Sequence, residues 1–317
     1  MRALELSDGK LRLRTEYPEA DVPQGSTRVR VTQAGICETD LQLVAGYMGF
    51  SGVLGHEFVG IAESGKFTGQ RVVGEINCVC NECDMCSRGL GNHCPNRTVI
   101  GILNHDGGFA DSLIVPEDNL HAVPDDMSDD LATLAEPVAA ALQIPEQVSL
   151  TSDMRAIVVG DGRLGNLCAQ VLKRRVKHVL VVGKHAEKLK TFEAMDISTC
   201  LLQDVPPDLK ASLVVDCAGS ATGLSTALSL VRPRGTVVMK TTVAGEHQIP
   251  LAPIVIDEIT LVGSRCGPFD KAITAISSGE LLLDNFISGR FKIEDFEAAF
   301  SRATEKDALK VILEIAN

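Results

Sequence analysis

The segment RAIVVGDGRLGNLCAQVLKRRV, residues 155–176, leaves its surroundings little choice of fold. An apolar run suited to a buried strand leads into Gly160, Gly162 and Gly165, spaced G-x-G-x-x-G, and an amphipathic run follows. The spacing alone is a weak signal; a strand before it and a helix after it make it informative. The first glycine permits a tight turn, the second lets a pyrophosphate approach, and the third lets helix and strand pack closely. Phosphates then meet the unpaired N–H groups of the helix N-terminus. Gly160, Asp161, Gly162, Arg163, Leu164 and Gly165 are therefore expected to hold a dinucleotide.

The texture around this loop agrees. Apolar runs HVLVVG, SLVVDCAG, GTVVMKT and EITLVGS alternate with the helical AEKLKTFEAM and TGLSTALSLV. Strands alternating with helices mean a parallel sheet with crossover helices. Before residue 151 the pattern differs. STRVRVTQAGI, RVVGEI and GGFADSLIVP are short strand-like runs punctuated by Gly, Pro and Asn. A helix is predicted from about Ser128 to Leu142, with a break at Pro137. A chain of 317 residues suits two domains, so the fold class is α/β: a doubly wound parallel sheet plus a β-rich domain.

The end of the second strand bears on the coenzyme. An NAD site places an acid there, about 20 residues beyond the glycine loop, on the ribose 2′-hydroxyl. This chain has Gly183, Lys184 and His185, with Lys188 one turn on, and no acid among them. The expectation is NADP(H) preferred over NAD(H). The alternative is that both lysines are solvated surface and NAD is accepted without the acid.

Ten cysteines in a chain read as cytoplasmic are not a disulfide set. Cys80, Cys83, Cys86 and Cys94 have the spacing C-x2-C-x2-C-x7-C, which suits four thiolates around one Zn²⁺. Four protein donors leave no open position, so this site braces a lobe, residues 78–95, and binds no substrate. Cys78 is the spare thiol, expected to carry no metal. Cys168, Cys200, Cys217 and Cys266 lie in apolar stretches and read as core residues.

A second set of donors is dispersed. Cys37 in GICETD, His56 in GHE and Glu136 in AEP supply a thiolate, an imidazole and a carboxylate. Three protein ligands with an open fourth position are what a catalytic zinc needs. Such a zinc polarises a bound oxygen and lowers a hydroxyl pKa toward about 7. Asp40 is placed to hold the second imidazole nitrogen of His56, and Thr39 supplies a hydroxyl able to pass a proton.

The net charge of −12 argues against nucleic acid as a partner, since phosphate neutralisation needs clustered Lys and Arg. No apolar run approaches the length of a membrane span and MRALELSDGK has no apolar leader core, so a cytoplasmic location with no membrane partner is expected.

Taken in order, these motifs resemble the zinc-containing medium-chain dehydrogenase/reductase superfamily, in its alcohol, polyol and threonine dehydrogenase branch. GICETD and GHEFVGIAESGKFTGQRV resemble its catalytic-zinc motifs, residues 80–94 its structural-zinc lobe, and VVGDGRLG its cofactor loop. AEP resembles the polyol-dehydrogenase variant, with glutamate as the third ligand. The resemblance implies a GroES-like β-barrel catalytic domain, residues 1–137 and 265–317, around a Rossmann domain, residues 138–264. It implies two zinc ions per chain, one on Cys37, His56 and Glu136, with Glu57 nearby as an exchanging ligand. Leu164 and the segments around Lys240, Thr241 and Thr242 and around Gly263, Ser264 and Arg265 would meet the nicotinamide. Lys310 would face the pyrophosphate. The substrate would be an alcohol, polyol or sugar, or the matching carbonyl, and the chain a homodimer or homotetramer, with EITLVGSRCG at a two-fold axis. Glu38 and Gln42 depart from the family pattern; Gln42 replaces the histidine that often ends the proton relay. Two rivals remain: a zinc-independent quinone or enone reductase on the same fold, and a zinc-ribbon binding protein without enzymatic activity.

Overall fold

The computed structural model describes residues 1–242, 249 and 251–316. The chain divides into two units, Met1–Glu136 with Phe269–Asn317, and Pro137–Pro268.

The first unit is built on a seven-stranded sheet. Its strands run in the order Leu120–Ala122, Arg71–Gly74, Glu57–Ala62, Ser26–Ile36, Lys310–Glu314, Ile287–Lys292, and Ser112–Pro116 also pairs with Ser26–Ile36. The long strand Ser26–Ile36 explains how distant motifs meet. Its first half alternates buried and accessible positions, as a strand with one wet face does, whereas Ala34, Gly35 and Ile36 are all buried. In the second half Gly35 lies opposite Glu57 in one neighbour and opposite Ile312 in the other. That register brings the chain just after Ile36, the start of Glu57–Ala62 and the start of Lys310–Glu314 to one end of the sheet.

The second unit is a six-stranded parallel sheet in the order Ser198–Leu201, His178–Gly183, Arg155–Val159, Ala211–Asp216, Val231–Met239, Thr260–Gly263. Numbered along the unit this is 3-2-1-4-5-6, the doubly wound dinucleotide-binding arrangement, whose order reverses beside the first strand. Ile157, Val159, Val182, Val214, Val237 and Ala227 belong to one buried cluster on this sheet.

The structure differs from the sequence pattern at two places. Ser198–Leu201 is a strand that periodicity did not reveal, because it is short and only partly buried; SLVVDCAG is thus the fourth strand. The helix expected from Ser128 to Leu142 is two helices, Asp129–Thr133 and Ala135–Gln147. Ser128 caps the first by accepting the Leu131 N–H at 3.3 Å. The break falls at Leu134, not at Pro137, which sits in the first turn of the second helix, where a missing N–H removes no intrahelical bond. Among the described residues no helix is long and apolar enough to cross a membrane.

Candidate functional site

At the sheet end described above, donor atoms of Cys37, His56 and Glu57 lie within 4.8 Å of one another. His56 and Glu57 are buried, at 3% and 2% exposure, so their polar atoms depend on partners supplied locally. Cys37 precedes the helix Glu38–Val44, and Asp40 reaches back to accept the Cys37 N–H at 2.8 Å. The other oxygen of Asp40 stands 3.4 Å from His56 Nδ1, and Asp40 is fully buried. Burial alone would push the His56 imidazole down, but the Asp40 and Cys37 charges raise it well above its usual value. Thr39 Oγ1 lies 3.9 Å from Cys37 Sγ.

Glu57 is divided between two tasks. Its Oε2 pairs with the Lys310 ammonium, which also donates to the Ile36 carbonyl at 3.4 Å. Its Oε1 is buried and has no hydrogen-bond partner among the described residues. Gly35 makes this possible: a Cβ there would fall 2.5 Å from Glu57 Oε2 and 3.0 Å from Lys310 Cδ. A buried carboxylate oxygen without a donor, beside a thiol and an imidazole, is a donor set that fits a zinc ion.

Glu136, expected as third ligand, is the second residue of Ala135–Gln147 and half-buried; it is not one of the three clustered residues. Lys310 is 1% exposed and its ammonium pairs with Glu57 within the first unit. Glu38 and Gln42, the departures from the family pattern, bond to each other at 3.1 Å.

The cysteine lobe gathers Cys80, Cys83, Cys86 and Cys94, with donor atoms within 4.8 Å of one another. Sγ separations are 3.5 Å for Cys83–Cys86, 3.7 Å for Cys83–Cys94 and 3.5 Å for Cys80–Cys94. A tetrahedron with Zn–S bonds of about 2.3 Å has edges of about 3.8 Å, so these thiols stand where zinc would hold them. The backbone N–H of Glu82, with neighbouring donors, brings Cys80 down to about 6. Cys78 lies outside this group, its thiol raised to about 11 by burial.

In the second unit the glycine loop connects Arg155–Val159 to the helix Arg163–Lys173. Gly160 has φ +123°, and a Cβ on it would fall 2.5 Å from the Cys217 carbonyl oxygen. A Cβ on Gly165 would strike the Gly160 carbonyl, while Gly162 faces open space. The first and third glycines thus serve turn and packing, and the second leaves room.

The end of the second strand holds an acid after all. Asp161, from the glycine loop itself, accepts the N–H groups of Lys184 at 2.8 Å and His185 at 2.7 Å. His185 Nδ1 lies 3.1 Å from its other oxygen. Asp161 lies 23 positions before the strand end it meets, so the segment around Gly183 carries no local trace of this carboxylate; the available signal is an acid inside the loop together with a strand-terminal glycine. Lys184 is exposed, and Lys188 is half-buried on the helix Ala186–Glu193. Lys240 is 8% exposed and donates to the Ala140 carbonyl at 2.5 Å and Ser264 Oγ at 3.3 Å, so its cation is used inside its own unit. Thr241 Oγ1 accepts the Gly219 N–H at 3.1 Å and donates to Asp216. Gly263 ends the edge strand and Arg265 is exposed. Leu164 is half-buried in the first turn of its helix.

Fold and site together define a two-unit oxidoreductase with a dinucleotide domain, a cluster of four thiols, and a second cluster of one thiol, an imidazole and a carboxylate. The alcohol dehydrogenase GroES-like domain family matches residues 23–125, and the zinc-binding dehydrogenase family matches residues 164–278. A sorbitol dehydrogenase of Halalkalibacterium halodurans is 26% identical, with 94% of each chain covered. An alcohol dehydrogenase structure from Escherichia coli CFT073, in complex with NADH, superposes with TM-score 0.90 at 26% identity over 99% of each chain. A structure from Sinorhizobium meliloti 1021 bound to NADP superposes with TM-score 0.88 at 25% identity over 99% of each chain. The chain belongs to the zinc-containing medium-chain dehydrogenase/reductase superfamily and is an enzyme of its alcohol and polyol dehydrogenase class.

Proposed function

We propose that the chain is a zinc-dependent dehydrogenase that moves hydride between an alcohol, polyol or sugar, or the matching carbonyl, and a nicotinamide dinucleotide. The observation that carries this is the cluster of Cys37, His56 and Glu57, with Glu57 Oε1 buried and lacking a partner among the described residues. Cys37 and His56 would hold the metal, with Glu136 or Glu57 as the third ligand. When bound, zinc supplies Lewis-acid polarisation of the substrate oxygen. The nicotinamide supplies the hydride acceptor or donor.

The side chains have separate tasks. Asp40 orients His56 and favours one tautomer, since its oxygen faces Nδ1. Thr39, beside Cys37, takes the substrate hydroxyl proton outward. With Gln42 bonded to Glu38, that relay ends in water and not on a histidine. Lys310 fixes Glu57 by its charge, leaving one carboxylate oxygen available.

The four-cysteine lobe would hold a second, structural zinc. Lys184, His185 and Lys188 support NADP(H), and the Asp161 carboxylate among them supports NAD(H). None of the ten cysteines, all of them among the described residues, is in a disulfide, which supports a reducing, cytoplasmic location. An oligomer is supported by the edge strand Thr260–Gly263 and by Leu251, Val255 and Ile256, which are 69–77% exposed.

The test is a panel of alcohols, polyols and sugars assayed with NAD and NADP separately, before and after chelation. Turnover on at least one class, lost with the metal and restored by zinc, is expected. Chelator-insensitive reduction of quinones or enones would instead favour the zinc-independent rival.

A further inference from the structure

We propose that Asp161 is a coenzyme-selecting residue: a carboxylate from the glycine loop takes the place of the acid that NAD sites draw from the second strand, and sets the adenosine end of the site against a 2′-phosphate. The proposal rests on the dinucleotide reading above and concerns the second unit alone.

Geometry comes first. Asp161 Oδ2 accepts two successive backbone N–H groups at the strand end, those of Lys184 and His185. Those donors would otherwise be available to an anion. Gly183 is the matching concession: a Cβ there would fall 2.5 Å from Asp161 Oδ2 and 2.7 Å from Asp161 Cβ. The strand end has no side chain of its own because the loop acid fills that space. Oδ1 takes one contact, from His185 Nδ1, and a carboxylate oxygen has capacity for another.

Charge points the same way. Burial works against ionisation of Asp161, but bonds from His185 and the two backbone N–H groups hold its carboxyl below the usual range. At neutral pH a fixed negative charge therefore stands at 7% exposure where a 2′-phosphate would bring more. His185 is paired with that charge and offers a phosphate little net attraction. Lys184 is exposed, and a mobile ammonium in water is screened more strongly than a buried carboxylate. A ribose 2′-hydroxyl, in contrast, can donate to a carboxylate oxygen.

The experiment measures binding, not turnover. NADH and NADPH are titrated by reduced-nicotinamide fluorescence into the wild type, Asp161→Asn and Asp161→Ser. Removing the charge should raise NADPH affinity relative to NADH by about tenfold or more. A ratio that is unchanged or moves toward NADH, in a variant that still binds NADH, overturns the proposal. Should both variants fail to fold, calorimetry on the wild type decides: adenosine 5′-monophosphate should bind at least as tightly as adenosine 2′,5′-bisphosphate, and tighter binding of the bisphosphate overturns it. A wild type that binds neither NADH nor NADPH refutes the dinucleotide reading itself, an outcome distinct from an unchanged ratio.

Discussion

Glu57 and Lys310 form a buried ion pair at 2% and 1% exposure, and the pair explains several neighbours at once. Each charge is tolerable only because the other is present. Lys310→Met should leave Glu57 charged and buried, or force it to take a proton, and lower stability by about 3–5 kcal/mol in urea melts. A surface-like effect of a few tenths would show that the pair is not closed to water. Asp40 offers a second test. It lies behind His56 and outside the donor cluster, so Asp40→Asn should keep the fold while weakening metal binding about 10–100-fold in chelator competition. The neutral amide still accepts the Cys37 N–H, which separates the electrostatic role from the helix-capping one.

At the scale of elements, register does the assembly. Gly35 opposite Glu57 and opposite Ile312 gathers three segments that are remote in sequence. The helix Asp129–Thr133 is tied to the strand Ile287–Lys292 by the paired Asp130 and Arg290. Arg290 hydrogen bonds hold the Asp130 carboxyl below its usual range. An acid whose folded-state pKa is depressed stabilises above its unfolded pKa and stops doing so as pH falls through the folded value. Asp130→Asn should therefore be less stable than wild type at pH 7, with the gap closing below about pH 4. Urea midpoints across that range check the sign; a gap that widens in acid contradicts it. What was legible in sequence was local. The strand, glycine loop and helix of residues 155–173, and the four cysteines of residues 80–94, are each encoded within a short window. What was illegible depends on distance: Asp161 meets Lys184 across 23 positions and Glu57 meets Lys310 across 253. The strand Ser198–Leu201 was hidden for another reason, since its partly buried positions give no period-2 alternation.

Over the whole molecule, thiols are sorted by donor count. Four cysteines close one cluster, while Cys37 stands with an imidazole and a carboxylate in another, and Cys78 belongs to neither. Closure suits bracing; an incomplete protein donor set suits chemistry. The dinucleotide loop resides in the other unit, so each unit contributes one part of the proposed reaction. Zinc content measured alongside turnover, in wild type, Cys37→Ser and Cys83→Ser, tests this division most directly. The expected result is two zinc ions per wild-type chain, and one zinc with no turnover in Cys37→Ser. Cys83→Ser should also lose one zinc, with a lowered melting temperature as the main consequence. Full turnover in Cys37→Ser, or loss of chemistry confined to Cys83→Ser, would contradict the assignment of the reactive metal to Cys37 and His56.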